Sequence, residues 1–337
     1  MKTLTFVLGI LLLVQLPATV AQTTPPTIDA TLSTMGFEAG AKARLLNGEI
    51  LSKDLAEGSD KELAAVVVFR IRAPLSKVME AAHTGKTLQI EPEILGFGKA
   101  DSDLAKLGYT AAEASEALAA LNSAPGSRFN FSKAEFDRWR ALKAKLNGAD
   151  PRKDPQALEA VNAEYRSILT DRLTAYQKGG VAAVAPYSRG KNEAKPAEEL
   201  ALATRESPVG KAFPDFEKAI ADYPAGSPGH IDQEYLWIKQ RVEKRPVMIL
   251  AHRMYLQEKD HVVAMERQIY VGASYNCQQS MVGAREEDGV VFAAYGNRCF
   301  TDQVAGAMSG MKHGIGRGQM IDELKAHFER VRQMLEK

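Results

Sequence analysis

The sequence predicts an α+β fold, in which a curved antiparallel sheet packs against a long C-terminal helix and carries a large helical insertion at about residues 100–225. Three observations support this prediction. A β-branched apolar run covers residues 63–71, the last hundred residues alternate in hydrophobicity, and the chain ends in an amphipathic segment. Alternation with period two is typical of half-buried strands, and a period of 3.6 is typical of helices. We therefore expect one domain over residues 59–337, preceded by an N-terminal segment at 22–58.

The first strong strand is expected over Leu63–Ile71, where nearly every position is apolar and most are β-branched. Such a run is typical of a strand that is covered on at least one face. Pro74 follows shortly afterwards, and proline suits the first turn of a helix while it keeps Ala73 out of the α conformation. We expect a strand-to-helix junction at this point.

The middle of the chain is predicted to be helical. Thr110 and Ser132 each precede a glutamate by three positions, and this spacing is a capping box at a helix start. A third helix is expected from Asp154-Pro155 to Gly179-Gly180, because its apolar residues recur every three or four positions. Shorter helices are expected over residues 197–205 and 215–221.

The last hundred residues predict four consecutive antiparallel strands, over residues 247–256, 262–275, 274–283 and 290–297. A glycine-rich stretch at residues 306–318 then reads as a flexible hinge before the final helix. That helix has one apolar stripe, formed by Ile321, Leu324, Phe328, Val331 and Leu335. We expect it to lie across the sheet as a lid.

The first 21 residues have the pattern of a secretory signal peptide. Lys2 precedes an apolar run over residues 4–16, and Thr19-Val20-Ala21 provides small residues before the expected cut after Ala21. The run is shorter than the roughly 20 residues that span a bilayer. We expect a periplasmic or secreted product with no transmembrane anchor, and no lipid attachment because no cysteine follows the cut.

Composition argues against a nucleic-acid partner. The chain has 43 Lys and Arg against 42 Asp and Glu, and removal of Lys2 with the leader leaves 42 of each. A nucleic-acid binder normally has an excess of basic residues on one face. The hydrophobic fraction of 45% is that of a globular protein with a substantial core.

The only cysteines, Cys277 and Cys299, flank the predicted hairpin, and such a pair can form a disulfide in an oxidising compartment. The expected turn at residues 285–289 places Cys277 nearer to Gly296 than to Cys299, so the disulfide requires a bulge or a curved strand. Two free buried thiols are the alternative, with a metal or catalytic role as a third. No histidine lies at ligand spacing, so we expect no metal site.

The stretch Ile71–Val78, together with the closing strands and the C-terminal helix, resembles the helix-grip fold of START-like lipid-binding domains. The chain more closely resembles a group of uncharacterised exported bacterial proteins, through Tyr176-Gln177-Lys178-Gly179-Gly180 with Tyr187, Tyr235-Leu236-Trp237, Arg245-Pro246-Val247 leading to His252, and Asn297-Arg298 with Asp302. It departs from that group at Cys299 and Phe300 and at residues 274–277. The resemblance implies an internal apolar cavity between a curved sheet and the C-terminal helix, and hence ligand binding.

The sequence contains no zinc-protease, nucleophile-elbow or phosphate-loop motif, and no cofactor is expected. We expect ligand contacts from a few polar and aromatic residues, namely Trp237, His252, Tyr270, Tyr275, Asn297, Arg298 and Asp302. His252 alternates with Met248 and Met254 on one strand face, where its imidazole must be hydrogen-bonded or titrate. It is either a satisfied core histidine or a ligand contact. Arg298 needs a carboxylate if it is buried, and Asp302 is the local candidate.

These observations favour an exported, non-catalytic binding protein that holds a lipid or another apolar or amphipathic ligand between the sheet and the C-terminal helix. Apolar pockets with a few placed polar groups are typical of such proteins. Two alternatives remain at this point. One is an envelope hydrolase or transferase that uses Ser274 or Cys277 near His252, and the other is a structural or partner-binding envelope protein.

Overall fold

The computed structural model describes residues 27–126, 128–225, 230–306 and 308–337, so the predicted signal peptide at 1–21 lies outside the described residues. The strands are β1 (Leu51–Asp54), β2 (Glu62–Ile71), β3 (Ile94–Lys99), β4 (Tyr187–Arg189), β5 (Asn192–Ala194), β6 (Asp232–Val242), β7 (Arg245–Gln257), β8 (His261–Val271), β9 (Cys277–Glu287) and β10 (Val290–Phe300). The helices are α1 (Ile28–Thr34), α2 (Ala41–Leu46), α3 (Leu75–His83), α4 (Lys86–Gln89), α5 (Ala114–Leu121), α6 (Lys133–Leu146), α7 (Pro155–Gly179), α8 (Pro196–Arg205), α9 (Pro208–Ala212), α10 (Pro214–Asp222) and α11 (Ser309–Leu335).

Eight of these strands form one antiparallel sheet in the order β1-β2-β10-β9-β8-β7-β6-β3, while β4 and β5 form a separate pair. The first long strand, β2, therefore pairs with the last strand, β10, with Val66 opposite Gly296. The predicted α+β fold with a large antiparallel sheet is confirmed. The four closing strands are present as β7 to β10, and β6 precedes them as a strand that the sequence did not separate from a helix.

Strand alternation gives the sheet two faces with different neighbours. The face that carries Val67, Phe69 and Ile71 packs against α3 and α11, and we call it the α11 face. The opposite face carries Val66 and Val68 and packs against α1, α2 and the helical insertion. We call it the insertion face.

On the α11 face, Phe328 stacks on Phe69 of β2, with ring centroids 4.1 Å apart. Val331 and Leu335 are buried beside it, as the predicted apolar stripe requires. A flexible hinge was expected over residues 306–318. This prediction is wrong for most of the stretch, because α11 already begins at Ser309. Glycine at 316 lets the helix approach β2 closely, since a Cβ there would lie 2.9 Å from Leu63 Cδ1.

The insertion face is covered by the predicted helices. Both capping boxes form, at Thr110 with Glu113 and at Ser132 with Glu135, and α7 runs from Pro155 to Gly179. The helices and the sheet share one aromatic core, which contains Trp139 and Tyr165 from the insertion and Tyr270 from the sheet. Within the described ranges, no helix is long and apolar enough to cross a membrane.

We predict that Phe328→Ala destabilises the protein by about 3–5 kcal/mol, because it removes a buried ring and leaves a cavity against Phe69. Urea unfolding followed by circular dichroism measures the change. Met311→Ala on the exposed side of α11 is the control, and we expect it to change the free energy of unfolding by less than about 0.5 kcal/mol. Equal effects of the two substitutions would contradict the packing described for α11.

Candidate functional site

The predicted site residues divide between the two faces of the sheet. Alternation places Tyr275 and Asn297 on the α11 side, and Asp302 follows the end of β10. The other four side chains lie on the insertion face, namely Trp237, His252, Tyr270 and Arg298. The structure therefore does not bring the seven residues into one site.

Trp237 and Tyr270 belong to the aromatic core beneath the helical insertion. The indole of Trp237 donates a hydrogen bond to the carbonyl oxygen of Asp103 at 3.1 Å. The Tyr270 hydroxyl lies 2.9 Å from that of Tyr165, and the Arg172 guanidinium stacks 4.6 Å from the Tyr270 ring centroid. Their polar groups are satisfied within the protein.

His252 is fully buried and both of its ring nitrogens have partners. Nδ1 lies 2.9 Å from the Tyr176 hydroxyl, and Nε2 lies 3.2 Å from Gln233 Oε1. The rings of Tyr223 and Tyr235 pack on the imidazole, with centroids 4.6 and 4.7 Å away. His252 has the geometry of a satisfied core histidine.

Arg267 lies beside His252 and is also fully buried. Its guanidinium donates to the Tyr176 hydroxyl at 3.1 Å, to Thr204 Oγ1 at 3.0 Å and to Gln279 Oε1 at 2.8 Å. Across the described ranges, no carboxylate lies within ion-pair distance of Arg267. Burial, together with the Arg267 charge, lowers the pKa of His252 to about 3, so the imidazole is neutral at physiological pH. We call Tyr176, Thr204, His252, Arg267 and Gln279 the sealed cluster.

Arg298 is paired with Glu62 rather than with Asp302, so the expected local partner is wrong. Glu62 begins β2 and lies opposite Phe300 of β10, which places its carboxylate beside the Arg298 side chain. Asp302 instead pairs with Lys61 and Arg189, each at 2.9 Å. The three ion pairs connect the end of β10 to neighbouring segments.

The predicted disulfide is wrong, because both cysteines are free thiols. The hairpin turn lies at Asp288-Gly289, so Cys277 is opposite Phe300 and Cys299 is opposite Gln278. Residues in adjacent positions of one strand point to opposite faces, and Cys277 shares a face with Phe300. The two thiols are therefore on opposite faces of the sheet.

Neither proposed nucleophile contacts His252. Ser274 Oγ donates to Glu243 at 2.9 Å, and Cys277 Sγ lies 3.4 Å from Glu199 Oε2. Burial, together with the Glu199 carboxylate, raises the pKa of Cys277 well above its usual value. A buried thiol with a raised pKa is a poor nucleophile. The geometry gives the hydrolase alternative no support at these positions.

A row of polar side chains crosses the middle of the α11 face. Arg253 donates to Glu266 at 2.7 Å through Nε, and its Nη1 lies 3.7 Å from Glu234. The Tyr255 hydroxyl donates to Glu234 at 3.0 Å. These residues were not predicted as site residues, although Arg253 and Glu266 stand at positions of apolar strands where a charge is unusual.

Several side chains of the central strands keep part of their surface exposed on the α11 face. Gln278, Val282, Tyr295 and Cys299 belong to β9 and β10, in the middle of the sheet order. These side chains would be fully buried if α11 packed tightly over the central strands. We call this region the α11 cleft, and define it by Glu266, Tyr275, Gln278, Val282, Tyr295, Asn297 and Cys299.

Asn297 lies where the α11 cleft meets the helix and is only 2% exposed. Its Nδ2 contacts Met320 Sδ at 3.1 Å, while its Oδ1 is buried without a hydrogen-bond partner. Leaving a buried acceptor unpaired costs on the order of 1–3 kcal/mol. A hydrogen-bond donor that reached this oxygen would remove that cost.

Glu91, in the segment between α4 and β3, contacts α11 from across the cleft. Its carboxylate binds His327 Nδ1 and Arg330 Nη2, both at 2.6 Å. Burial alone would raise the pKa of Glu91, but these hydrogen bonds outweigh it and lower the pKa to about 2. The carboxylate therefore remains charged and holds α11 to this edge of the sheet.

A cavity lies on the insertion face, where α1 and α2 meet β2, β9 and β10, and its volume is about 60 Å³. Leu32, Val68 and Phe292 are among its mostly apolar lining residues. An engineered cavity that binds benzene measures about 150 Å³, so this one is too small for a lipid chain. In the part of the chain that the structure describes, no group of three or more metal-ligating side chains could hold a metal ion.

Comparisons with known protein families, with curated proteins and with solved structures found no match to this chain.

We predict that the free energy of unfolding decreases as the pH falls from about 6.5 towards 3, and that His252 causes part of this decrease. An unfolded histidine binds a proton below about 6.5, whereas the native imidazole resists protonation down to about 3, so the unfolded state gains protons first. The contribution is about 1.4 kcal/mol per pH unit. Urea unfolding between pH 4 and 8 should show a shallower acid slope for His252→Gln and equal slopes above pH 7. An unchanged acid slope would contradict a neutral buried His252.

We predict that the chain, unfolded in guanidinium without reductant, gives two free thiols in a colorimetric thiol assay, because Cys277 and Cys299 lie on opposite faces of the sheet. The Cys277→Ser variant should give one. A count of zero for the unaltered chain would reveal a disulfide and contradict the register of β9 and β10.

Proposed function

We propose that this protein is an exported, non-catalytic binding protein that holds a lipid or another amphipathic molecule in the α11 cleft, in a START-like helix-grip arrangement. The observation that carries the proposal is the partial exposure of Tyr295, Gln278 and Cys299 in the middle of the sheet, on the face that α11 covers. The region combines apolar walls with a few polar groups, which is the usual composition of small-molecule sites.

The connectivity supports the helix-grip part of the proposal. Leaving aside β1, a first long strand is followed by two helices and an edge strand, and five antiparallel strands and a long helix close the domain. The helical insertion and its β4–β5 pair enter between β3 and β6 and cover the opposite face. The face beneath α11 is therefore covered by α3 and α11, the elements that a helix-grip domain would use.

Contacts of α11 with both sides of the sheet support its curvature. Phe328 stacks on β2, while His327 reaches Glu91, three residues before β3. In the sheet order, β2 and β3 are six spacings apart, or roughly 29 Å if the sheet were flat. A sheet that curves around α11 explains how one turn of the helix reaches both.

A partner-binding role is the second candidate, and one observation favours it. Met308, Met311 and Ile315 are 65%, 57% and 58% exposed at the start of α11. These three apolar side chains are spaced by three and four residues, so they lie next to one another along one side of the helix. Exposed apolar patches of this kind often mark interaction sites. This candidate requires no bound small molecule.

We predict that protein purified from a bacterial envelope fraction carries one amphipathic molecule per chain, detected by native mass spectrometry and identified after organic extraction. Gln278→Trp and Val282→Trp should abolish the bound mass, because an indole at either position occupies the α11 cleft. Ala326→Trp, on the exposed side of α11, is the matched control and should retain it. Circular dichroism verifies that each variant is folded.

A chain that is empty as purified, and takes up no lipid from vesicles, would contradict the binding proposal and favour the partner-binding role. Retention of the ligand in both Gln278→Trp and Val282→Trp would instead place the ligand outside the α11 cleft. N-terminal sequencing of the same sample tests export, and we expect the first residue to be Gln22.

A further inference from the structure

We propose that the α11 cleft selects amphipathic ligands with a cationic, hydrogen-bond-donating head group, of which a primary alkylamine is the simplest. This inference rests on the proposed function, because it assigns a ligand class to the same site. It follows from the charges that face the cleft and from the one acceptor there that has no partner.

The row of polar residues across the cleft has more carboxylates than cations. Arg253 is the cation of this row, and it lies between Glu234 and Glu266, at 3.7 and 2.6 Å. One positive charge shared by two carboxylates leaves a net negative charge. An anionic head group placed here would meet like charge in a partly desolvated region, where repulsion is stronger than in water.

Glu323 adds a second negative charge from the helix. It precedes His327 by one turn and Arg330 by two, so it lies on the same side of α11 as the two residues that bind Glu91. No cation lies within 4.0 Å of its carboxylate among the residues that the structure describes. The residue as a whole is exposed, but partial desolvation of its carboxylate, which has no counter-ion, raises the pKa of Glu323.

The cations at this edge are already occupied. Glu91 binds Arg330 and His327, so they do not supply a free positive charge to an incoming anion. The Asn297 Oδ1, which is buried and unpaired, is an acceptor and therefore needs a donor. An ammonium group donates three hydrogen bonds and carries the positive charge that the carboxylates of this face lack.

Aromatic rings on the same face favour a cation further. Tyr295 packs edge-on against Phe328, with centroids 5.0 Å apart, and it is only partly buried. Tyr275 lies on the same face and its hydroxyl donates to Gln268. Ring faces attract ammonium groups by roughly 0.5–2 kcal/mol, whereas they offer nothing to a carboxylate.

The test measures binding of decylamine, decyl glucoside and decanoate to the full folded chain by isothermal titration at pH 7, each below its micelle concentration. The three probes have the same chain length and differ in head-group charge. We expect decylamine to bind at least about tenfold more tightly than decanoate, the factor that about 1.4 kcal/mol of head-group discrimination provides. Decyl glucoside should lie between them.

Glu323→Gln should reduce the preference for decylamine over decanoate about threefold, because it removes a carboxylate that lacks a counter-ion but is partly screened by water. Asp322→Asn is the matched control, since it removes the same charge from the neighbouring exposed position, which the helix turns away from the side of His327, and it should change the preference less than about twofold. Asn297→Leu tests the acceptor and should weaken decylamine and decyl glucoside while leaving decanoate unchanged.

Equal or tighter binding of decanoate, or tightest binding of decyl glucoside, would overturn the charge selection while leaving the binding function intact. The same loss of preference in Asp322→Asn and Glu323→Gln would also overturn it, because the effect would then come from net charge. Absence of binding by all three probes would count against the proposed function itself.

Discussion

Two-residue alternation in a sheet that is covered on both faces is the constraint on which the rest of this structure depends. Glu266 and Arg267 are consecutive residues of β8, yet they belong to separate networks on opposite faces. Arg267 enters the sealed cluster under the helical insertion, and Glu266 enters the polar row beneath α11. A register shift of one residue in this strand would exchange them, and would bury a carboxylate beside His252.

The two networks stabilise a buried arginine by different partners, neutral oxygens in the sealed cluster and carboxylates on the α11 face. In the sealed cluster, hydroxyl and amide oxygens of Tyr176, Thr204 and Gln279 satisfy the guanidinium, and His252 stays neutral. A complete set of hydrogen bonds in a buried network fixes the relative position of the elements that carry it. Here those elements are α7, α8 and the central strands. On the α11 face, carboxylates outnumber Arg253, and part of the surface remains accessible.

Local patterns predicted most of the elements but not their arrangement. The capping residues at Ser132 and Asp154 and the apolar spacing of α7 and α11 fix helix starts and faces within the local sequence. The β9–β10 register depends on which two residues form the turn. Because the turn is at Asp288-Gly289, Cys299 lies on the opposite face of the sheet from Cys277. The pairing of Arg298 with Glu62 could not be predicted locally, because it requires β2 and β10 to be neighbours.

The candidate site was harder to predict than the fold for the same reason. His252 was identified by its position among apolar residues, but the sequence could not say which layer it faces, and the insertion rather than α11 covers it. Asn297 contacts Met320 of α11, and Tyr275 packs on the same face of the sheet near β3, but the sequence did not separate these two from the other predicted residues. The bulge in β8 near Ile269 further changes which residues share a face, and alternation alone cannot locate a bulge.

The central claim is that the face beneath α11 is an accessible ligand site, and the native thiols allow a direct test. Cys299 is partly exposed in the α11 cleft, although desolvation raises the pKa of its thiol to about 12, whereas Cys277 is buried on the opposite face. The measurement is the alkylation rate of each cysteine in the folded chain, read by peptide mass spectrometry, with and without saturating decylamine or decyl glucoside. The account predicts that a bound amphiphile slows alkylation of Cys299 and leaves Cys277 unchanged. An unchanged rate at Cys299 with a bound amphiphile would contradict it.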